Sequence, residues 1–491
     1  MDNNNTNNNR GNGVLPEVDQ IRSYDYEVAC GAVSATQEFP EEYEINERYL
    51  GVLKNQEIYN CCVGCVMSSL AEVFDLIEQY GNLENIPDDE WKKIDDREEV
   101  EFSEFWAYAA LRSGYEDEGM YVGDAIKNWG DKGILPKKYF NLRAEVPSII
   151  REVEKFPELY DKAKLHKPKS YASLNYAISS KKDRCIKEAL MKYRHGLLGV
   201  SDRHFGGSHC IMVVGWNDKT NKYKIKNSWG TNWGDKNGVG EIPKSSLNDV
   251  YLILDEELIP PFTDVNKTDW FYKAVKNMYF ANLIKGIDDT HFEPLRNITR
   301  AEITAILHRL VVMIDERIQL LVKVAKEKGS LSKDFLVPSL LSGNRDMPFK
   351  DVSPTAWYYE DIKAIYSLNL IKGMTETEFE PEENLTRAEL ATLCIRIHNL
   401  IRNIFNDILT NSGKRVLSME ERMAGKEFQD IAREDWYYQN VKDCYELGLM
   451  NGVNDENFAP EENTTRAEVA TILNRLTKEI DRISNETRSR F

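Results

Sequence analysis

The stretch NQEIYNCCVGC, residues 55–65, sets Cys61, Cys62 and Cys65 close together, with Gln56 six positions before Cys62. A cysteine works as a nucleophile when a base takes its proton, a third group orients that base, and donors receive the oxyanion. Two later stretches offer the remaining parts: GSHCIMVVGW carries His209, and KIKNSWGTNWG carries Asn227. An asparagine oxygen that accepts from one imidazole nitrogen fixes the tautomer and leaves the other nitrogen to face sulfur. The Gln56 amide and the N–H of Cys62 could hold the oxyanion, and Trp229 could shield the His–Asn bond. The chemistry within reach of this set is amide hydrolysis through an acyl-enzyme. Other readings stay open. Three buried thiols can be small hydrophobes, and Cys61, Cys62 and Cys65 could bind zinc, although no second C-x-x-C or H-x-x-x-H supplies the remaining ligands. His204 is the rival base, but its Gly-rich loop has no strand directly after it.

These groups need a helix and two strands. Val66, Leu70, Val73, Phe74 and Ile77 form a helical stripe after Cys62, whereas CIMVVGW and KYKIKNSWG alternate or run apolar like strands. The pattern predicts one α+β domain over 39–258, after an Asn-rich, partly disordered lead at 1–38. With Cys62 at a helix N-terminus and His209 beside it, a thiolate–imidazolium pair is the expected resting state.

The formal charge of −18 repels nucleic-acid phosphates and anionic membranes alike. No apolar run reaches the roughly 20 residues that span a bilayer. MDNNNTNNNRGNG shows no signal peptide, and nothing calls for a metal or another cofactor. Cys30, Cys185, Cys210, Cys394 and Cys444 stand singly and form no disulfide framework.

After Pro260–Pro261 a repeat begins. FTDV, FKDV and FQDI open its copies; DWFY, AWYY and DWYY follow; TRAE closes each, with Trp270, Trp357 and Trp436 each 30 positions before Arg300, Arg387 and Arg466. Thr299, Thr386 and Thr465 each stand three before a glutamate, the capping-box spacing. The copies span 262–312, 349–400 and 428–480, and the insertions 313–348 and 401–427 keep a helical apolar period in their first halves. A unit of about 50 residues buries little alone, so three sharing one core are expected.

Residues 38–250 resemble the papain-like cysteine peptidases, most specifically in NSWGTNWG. That family places a glutamine six before its nucleophile and commonly a glutamate ten after, and Gln56 and Glu72 both select Cys62. Reading Cys62–Cys65 as the family's C-x-x-C-W would instead select Cys65, against the glutamine spacing. The resemblance implies a two-lobed catalytic domain acting on protein or peptide substrates, with Gly119, Met120, Cys210 and Trp229 at the substrate. Glu57 and Cys61 stand where the family has glycine and Val63 where it has tryptophan, which leaves a degenerate relative with a peptide-binding, adhesive or structural role as the alternative. The family's long inhibitory propeptide is not expected in about 38 preceding residues. The triple repeat resembles S-layer homology repeats. That implies an all-α, pseudo-threefold module, here with long inserted helices, binding pyruvylated secondary cell wall polymer through Arg300, Arg387, Arg466, Trp270, Trp357 and Trp436. It also implies a bacterial cell surface; without a visible signal peptide, an intracellular or particle-associated setting stands beside it.

Overall fold

The computed structural model describes residues 14–15, 24–31, 33, 36–81, 83–95, 101–112, 119–144, 146–175, 179–202, 204–235, 238–327, 329–343, 345–417, 426–488 and 490. Most of the lead expected to be disordered, and 418–425 of the second insertion, lie outside them. The chain divides into two compact units between Leu258 and Ile259. Among the described residues no helix is long and apolar enough to cross a membrane.

The first unit begins with β1 (Val14–Leu15), β2 (Tyr24–Asp25), α1 (Tyr26–Cys30), β3 (Glu42–Glu44), α2 (Cys62–Tyr80) and α3 (Asp88–Asp95). It continues with α4 (Glu104–Ala110), β4 (Met120–Tyr121), α5 (Val122–Lys132), α6 (Val146–Glu154), α7 (Glu158–Ala163), β5 (Ser170–Ser173) and α8 (Ser179–Tyr193). Its last strands are β6 (Leu197–Ser201), β7 (His209–Asn217), β8 (Lys222–Lys226), β9 (Val239–Pro243) and β10 (Asp249–Leu254). The sheet order is β2-β5-β10-β6-β7-β8-β9, with β3 also paired to β7.

Two features of this unit place the chemistry. Helix α2 is buried from Cys62 to Phe74 and packs against both α4 and β7. Gly64 lets it approach so closely that a Cβ there would meet the Glu104 carbonyl at 2.5 Å. The helix stops at Gly81, whose φ of 75° lets its N–H turn back to the Ile77 carbonyl at 2.8 Å. The second feature is the antiparallel pairing of β7 with β8, which sets Met212 opposite Lys226. The start of β7 and the end of β8 therefore lie at one edge, and His209 and Asn227 come together there.

The second unit contains α9 (Tyr272–Phe280), α10 (Arg300–Glu327), α11 (Tyr359–Ser367), α12 (Arg387–Asn411), α13 (Tyr438–Glu446) and α14 (Arg466–Arg488). Thr299, Thr386 and Thr465 each accept from the N–H of the glutamate three residues on, and each glutamate carboxylate accepts that threonine's N–H. Both insertions extend the capped helix of the preceding copy instead of starting a new one, so α10 runs 28 residues and α12 runs 25. The copies are joined cyclically: Ile298 N–H donates to the Thr464 carbonyl at 3.0 Å, Thr464 N–H to Leu385 at 2.8 Å, and Leu385 N–H to Ile298 at 3.0 Å. Phe292, Phe379 and Phe458 lie fully buried in one core drawn from all three copies.

Candidate active site

Cys62 is the first residue of α2, where the leading N–H groups have no intrahelical acceptor and favour negative charge. Its Sγ receives the Cys210 N–H at 3.4 Å, which ties the sulfur to the residue next to His209. His209 Nε2 lies 2.7 Å from Asn227 Oδ1, so Nε2 carries the proton that the amide oxygen accepts. The Ser228 N–H also donates to that oxygen, at 2.7 Å, and holds the amide in place. His209 Nδ1 is buried and has no hydrogen-bond partner among the described residues, which makes it the nitrogen left for a thiol proton. Phe205 and Trp229 stand against the ring with centroids 4.9 Å away each. In this apolar setting burial pulls the His209 pKa down to about 4, offset in part by Asn227. Burial thus favours neutral imidazole over the imidazolium of the expected resting pair.

The three clustered cysteines part company here. Cys61 Sγ meets Cys65 Sγ at 3.8 Å, and this contact together with burial keeps the Cys61 thiol protonated, well above its ordinary pKa. Cys65 sits one turn into α2, its N–H bonded to the Cys61 carbonyl at 2.9 Å. Gln56 is fully buried; Ser228 Oγ donates to its Oε1 at 2.6 Å, and Nε2 donates to the Tyr59 carbonyl at 2.9 Å. An amide NH2 carries two hydrogens and can donate twice. Glu57, in the family's glycine position, takes φ of +52° and ties its carboxylate to Arg143 at 3.1 Å. Cys61 has φ of −99°, which requires no glycine.

Below the site lies a buried polar layer that spacing alone did not reveal. Glu72 accepts from Lys54 Nζ at 2.6 Å and from the N–H groups of Val52 and Phe102 at 2.6 and 3.0 Å, binding α2 to the Gln56 loop. Lys226, just before Asn227, donates to the carbonyls of Leu50, Gly51 and Val52 at 2.7, 2.7 and 3.0 Å. A buried lysine beside the asparagine was the available signal. Cys210 is fully buried and reaches the site through its backbone; Trp229 is buried over the imidazole; His204 is exposed. Gly119 and Met120 are buried too, and Met120–Tyr121 pairs in parallel with Val14–Leu15 of the same chain.

With the sulfur, imidazole and amide in this order, the sequence relationship becomes informative. Residues 14–250 match the papain family cysteine protease, and 261–304, 348–391 and 427–470 match the S-layer homology domain. The chain carries a papain family cysteine protease domain followed by three S-layer homology domains. Similar curated proteins include an endoglucanase of Bacillus sp. (strain KSM-635), 29% identical over 44% of this chain and 18% of that protein. An amylopullulanase of Thermoanaerobacterium thermosulfurigenes is 27% identical over 43% of this chain and 9% of that protein. The surface-layer 125 kDa protein of Lysinibacillus sphaericus is 26% identical over 44% of this chain and 15% of that protein. The chain thus spans less than a fifth of the length of these relatives. Xylellain, a cysteine protease from Xylella fastidiosa, is 17% identical, covers 51% of this chain and 97% of its own, and gives a TM-score of 0.37.

In the S-layer homology domains the arginines and tryptophans take opposite roles. Arg300 donates from Nε to the Phe379 carbonyl at 2.9 Å and from Nη2 to the Lys372 carbonyl at 2.8 Å, and pairs with Glu389. Arg387 reaches Phe458 and Asn451, and Arg466 reaches Phe292 and Lys285, in the same way. Through Nε and Nη2 these arginines clamp each copy to the next, so part of the fork expected for a polymer carboxylate is engaged within the protein. Trp270, Trp357 and Trp436 are 65%, 63% and 62% exposed, hence outside the core. Trp436 and Arg300 line a cavity of about 590 Å³ whose remaining walls come mostly from the second copy.

Proposed function

We propose that this protein is a cysteine endopeptidase held at a bacterial cell surface by its S-layer homology domains. The observation that carries the reading is the His209–Asn227 bond at 2.7 Å, which leaves Nδ1 unpartnered at the residue whose neighbour donates to Cys62 Sγ. In the proposed cycle His209 Nδ1 takes the Cys62 proton as sulfur attacks a peptide carbonyl. Gln56 Nε2–H and Cys62 N–H receive the oxyanion, as the carbon–nitrogen bond breaks His209 returns the proton to the amine, and a water activated by His209 then cleaves the thioester. Neutral imidazole at rest suits the first step, since it is ready to accept a proton. The three repeats would form a pseudo-threefold module whose grooves hold saccharide units of secondary cell wall polymer, the pyruvylated class implied by the family resemblance, with the exposed tryptophans as stacking faces.

Labelling by a cysteine-directed epoxide tests the peptidase reading. Wild-type protein should be labelled at Cys62 and lose hydrolysis of a general peptide substrate, and Cys62→Ala should abolish both. Labelling of Cys65 with activity retained in Cys62→Ala would sink it. A second reading, a closed peptide-binding domain without turnover, is favoured by the pairing of Val14–Leu15 over Met120–Tyr121. The absence of label under reducing conditions would select it.

A further inference from the structure

Cys61 and Cys65 take no part in the proposed cycle, and their placement suits another use. Cys61 is the N-cap residue of α2, where a serine, threonine, aspartate or asparagine side chain ordinarily accepts an N–H of the first turn, yet it makes no such bond. Its sulfur meets the Cys65 sulfur instead, 3.8 Å away, and the Cys65 N–H donates to the Cys61 carbonyl at 2.9 Å. Both thiols are free and buried beside Cys62. Among the described residues no group of three side chains is placed to ligate a metal ion, which leaves thiol chemistry as their use. We propose that Cys61 and Cys65 form a reversible oxidation site that takes over a disulfide when the neighbouring Cys62 meets a peroxide, and so returns Cys62 as a thiol. A water-sized oxidant suits sulfurs this deeply buried. Hydrogen peroxide places one oxygen on the Cys62 sulfur as sulfenic acid, and its other oxygen leaves as water. The Cys65 sulfur then bonds to that of Cys62, and the sulfenic hydroxyl leaves with the Cys65 proton as a second water. Cys61 attacks the Cys65 sulfur in turn: the Cys61–Cys65 bond forms, the Cys62–Cys65 bond breaks, and the departing Cys62 sulfur takes up the Cys61 proton. Exchange of this kind expels the sulfur that best carries negative charge. Cys62 stands on the first turn of α2, where unbonded N–H groups favour charge, whereas the contact with Cys65 and burial hold the Cys61 thiol protonated. Side chains four apart on a helix keep their Cβ atoms about 5–6 Å apart, wider than the about 3.5–4.5 Å of a relaxed disulfide, so the first turn must give and the bond stays easy to reduce. The pairing holds whether or not Cys62 is the nucleophile; its use in sparing turnover rests on the peptidase reading above.

Oxidation of the full chain by equimolar hydrogen peroxide, followed by alkylation in denaturant and peptide mapping, tests the pairing. The peptide that carries all three cysteines should lose two hydrogens and be alkylated at Cys62 alone. In Cys61→Ser, which leaves a good N-cap, the bond should stay between Cys62 and Cys65, and no cysteine of that peptide should be alkylated. A wild-type bond that includes Cys62, alkylation of all three cysteines, or Cys62 carried on to sulfinic acid while Cys61 and Cys65 are alkylated overturns the assignment. Turnover supplies the second arm. After peroxide and then a thiol reductant, wild type should regain its hydrolysis of a general peptide substrate, whereas Cys65→Ala, active before oxidation, should show a permanent loss as Cys62 passes to sulfinic acid. Equal recovery in the two proteins would show that the pair spares nothing. If reduced wild type hydrolyses no peptide, the peptidase reading fails while the mapped bond still decides the pairing.

Discussion

Acidification should unfold the peptidase domain through two histidines that it buries neutral. His195 is 3% exposed, bonded through Nδ1 to the Gly196 carbonyl at 3.0 Å, and His209 is fully buried; burial lowers each pKa to about 4. The ordinary value is about 6.5, so the unfolded chain binds protons that the folded one refuses. Both folded values are depressed: the stability they confer is complete above about pH 6.5 and is lost as pH falls toward 4. A difference of about 2.5 units is worth about 3 kcal/mol per histidine, or about 6–7 kcal/mol for both. That rivals the whole stability of a typical domain, about 5–15 kcal/mol. Urea unfolding from about pH 7 to about pH 4.5, followed by fluorescence of the buried Trp106, Trp129 and Trp216, measures it. Wild type should lose stability steeply, on the order of 1–3 kcal/mol per pH unit, in the lower part of this window, whereas His195→Gln with His209→Gln should lose only the carboxylate background common to both proteins. Equal pH slopes in the two proteins would refute the reasoning.

Further outcomes are expected at single positions. If Cys62 is the nucleophile as proposed, Cys65→Ala should keep most peptide hydrolysis, since it removes a thiol one turn into the helix; loss of turnover with intact folding would shift the nucleophile. Glu57→Gly should be neutral or stabilising by up to about 1 kcal/mol, because glycine holds a left-handed φ without strain, whereas Glu57→Val should destabilise by more than that; chemical denaturation of both variants decides. Lys226→Met takes the ammonium from the carbonyls of Leu50, Gly51 and Val52, of which Leu50 is buried and Val52 keeps the Ser69 hydroxyl, and should cost about 1–3 kcal/mol while lowering kcat through displaced Asn227; unchanged kcat would detach the lysine from the site. Removing residues 1–23 should lower KM for peptide substrates by freeing the Met120 edge; an unchanged KM would show that substrate does not use it.

Much of the site is legible because it is local. Gln56, Cys62 and Glu72 lie within one loop and one helix, so the spacing that the papain resemblance implies selects the cysteine, and the structure accounts for Glu72 by the bonds that fasten α2 to the loop. His209 and Asn227 are readable from two strands whose antiparallel pairing joins their ends. Long-range partners are a different matter. Each TRAE arginine looks like a ligand-binding fork because its acceptors are carbonyls of the next copy, 64–181 positions away in the chain and without side-chain identity. The exposure of the tryptophans depends on where neighbouring copies close, and the covering of Met120 by Val14–Leu15 leaves no trace in periodicity, since a two-residue strand has none.

The ring of hydrogen bonds through Ile298, Thr464 and Leu385 fixes a number as well as a shape. In an open array each added repeat buries one more face and leaves an end to cap, so copies are gained and lost with little penalty. Here the third copy returns its contacts to the first, and closed rotation admits no fourth member and tolerates no missing one. Duplication or loss of a single copy would therefore disrupt the assembly as a whole, while chain order is almost immaterial: a permuted module beginning at the second copy and ending with the first would satisfy the same three bonds.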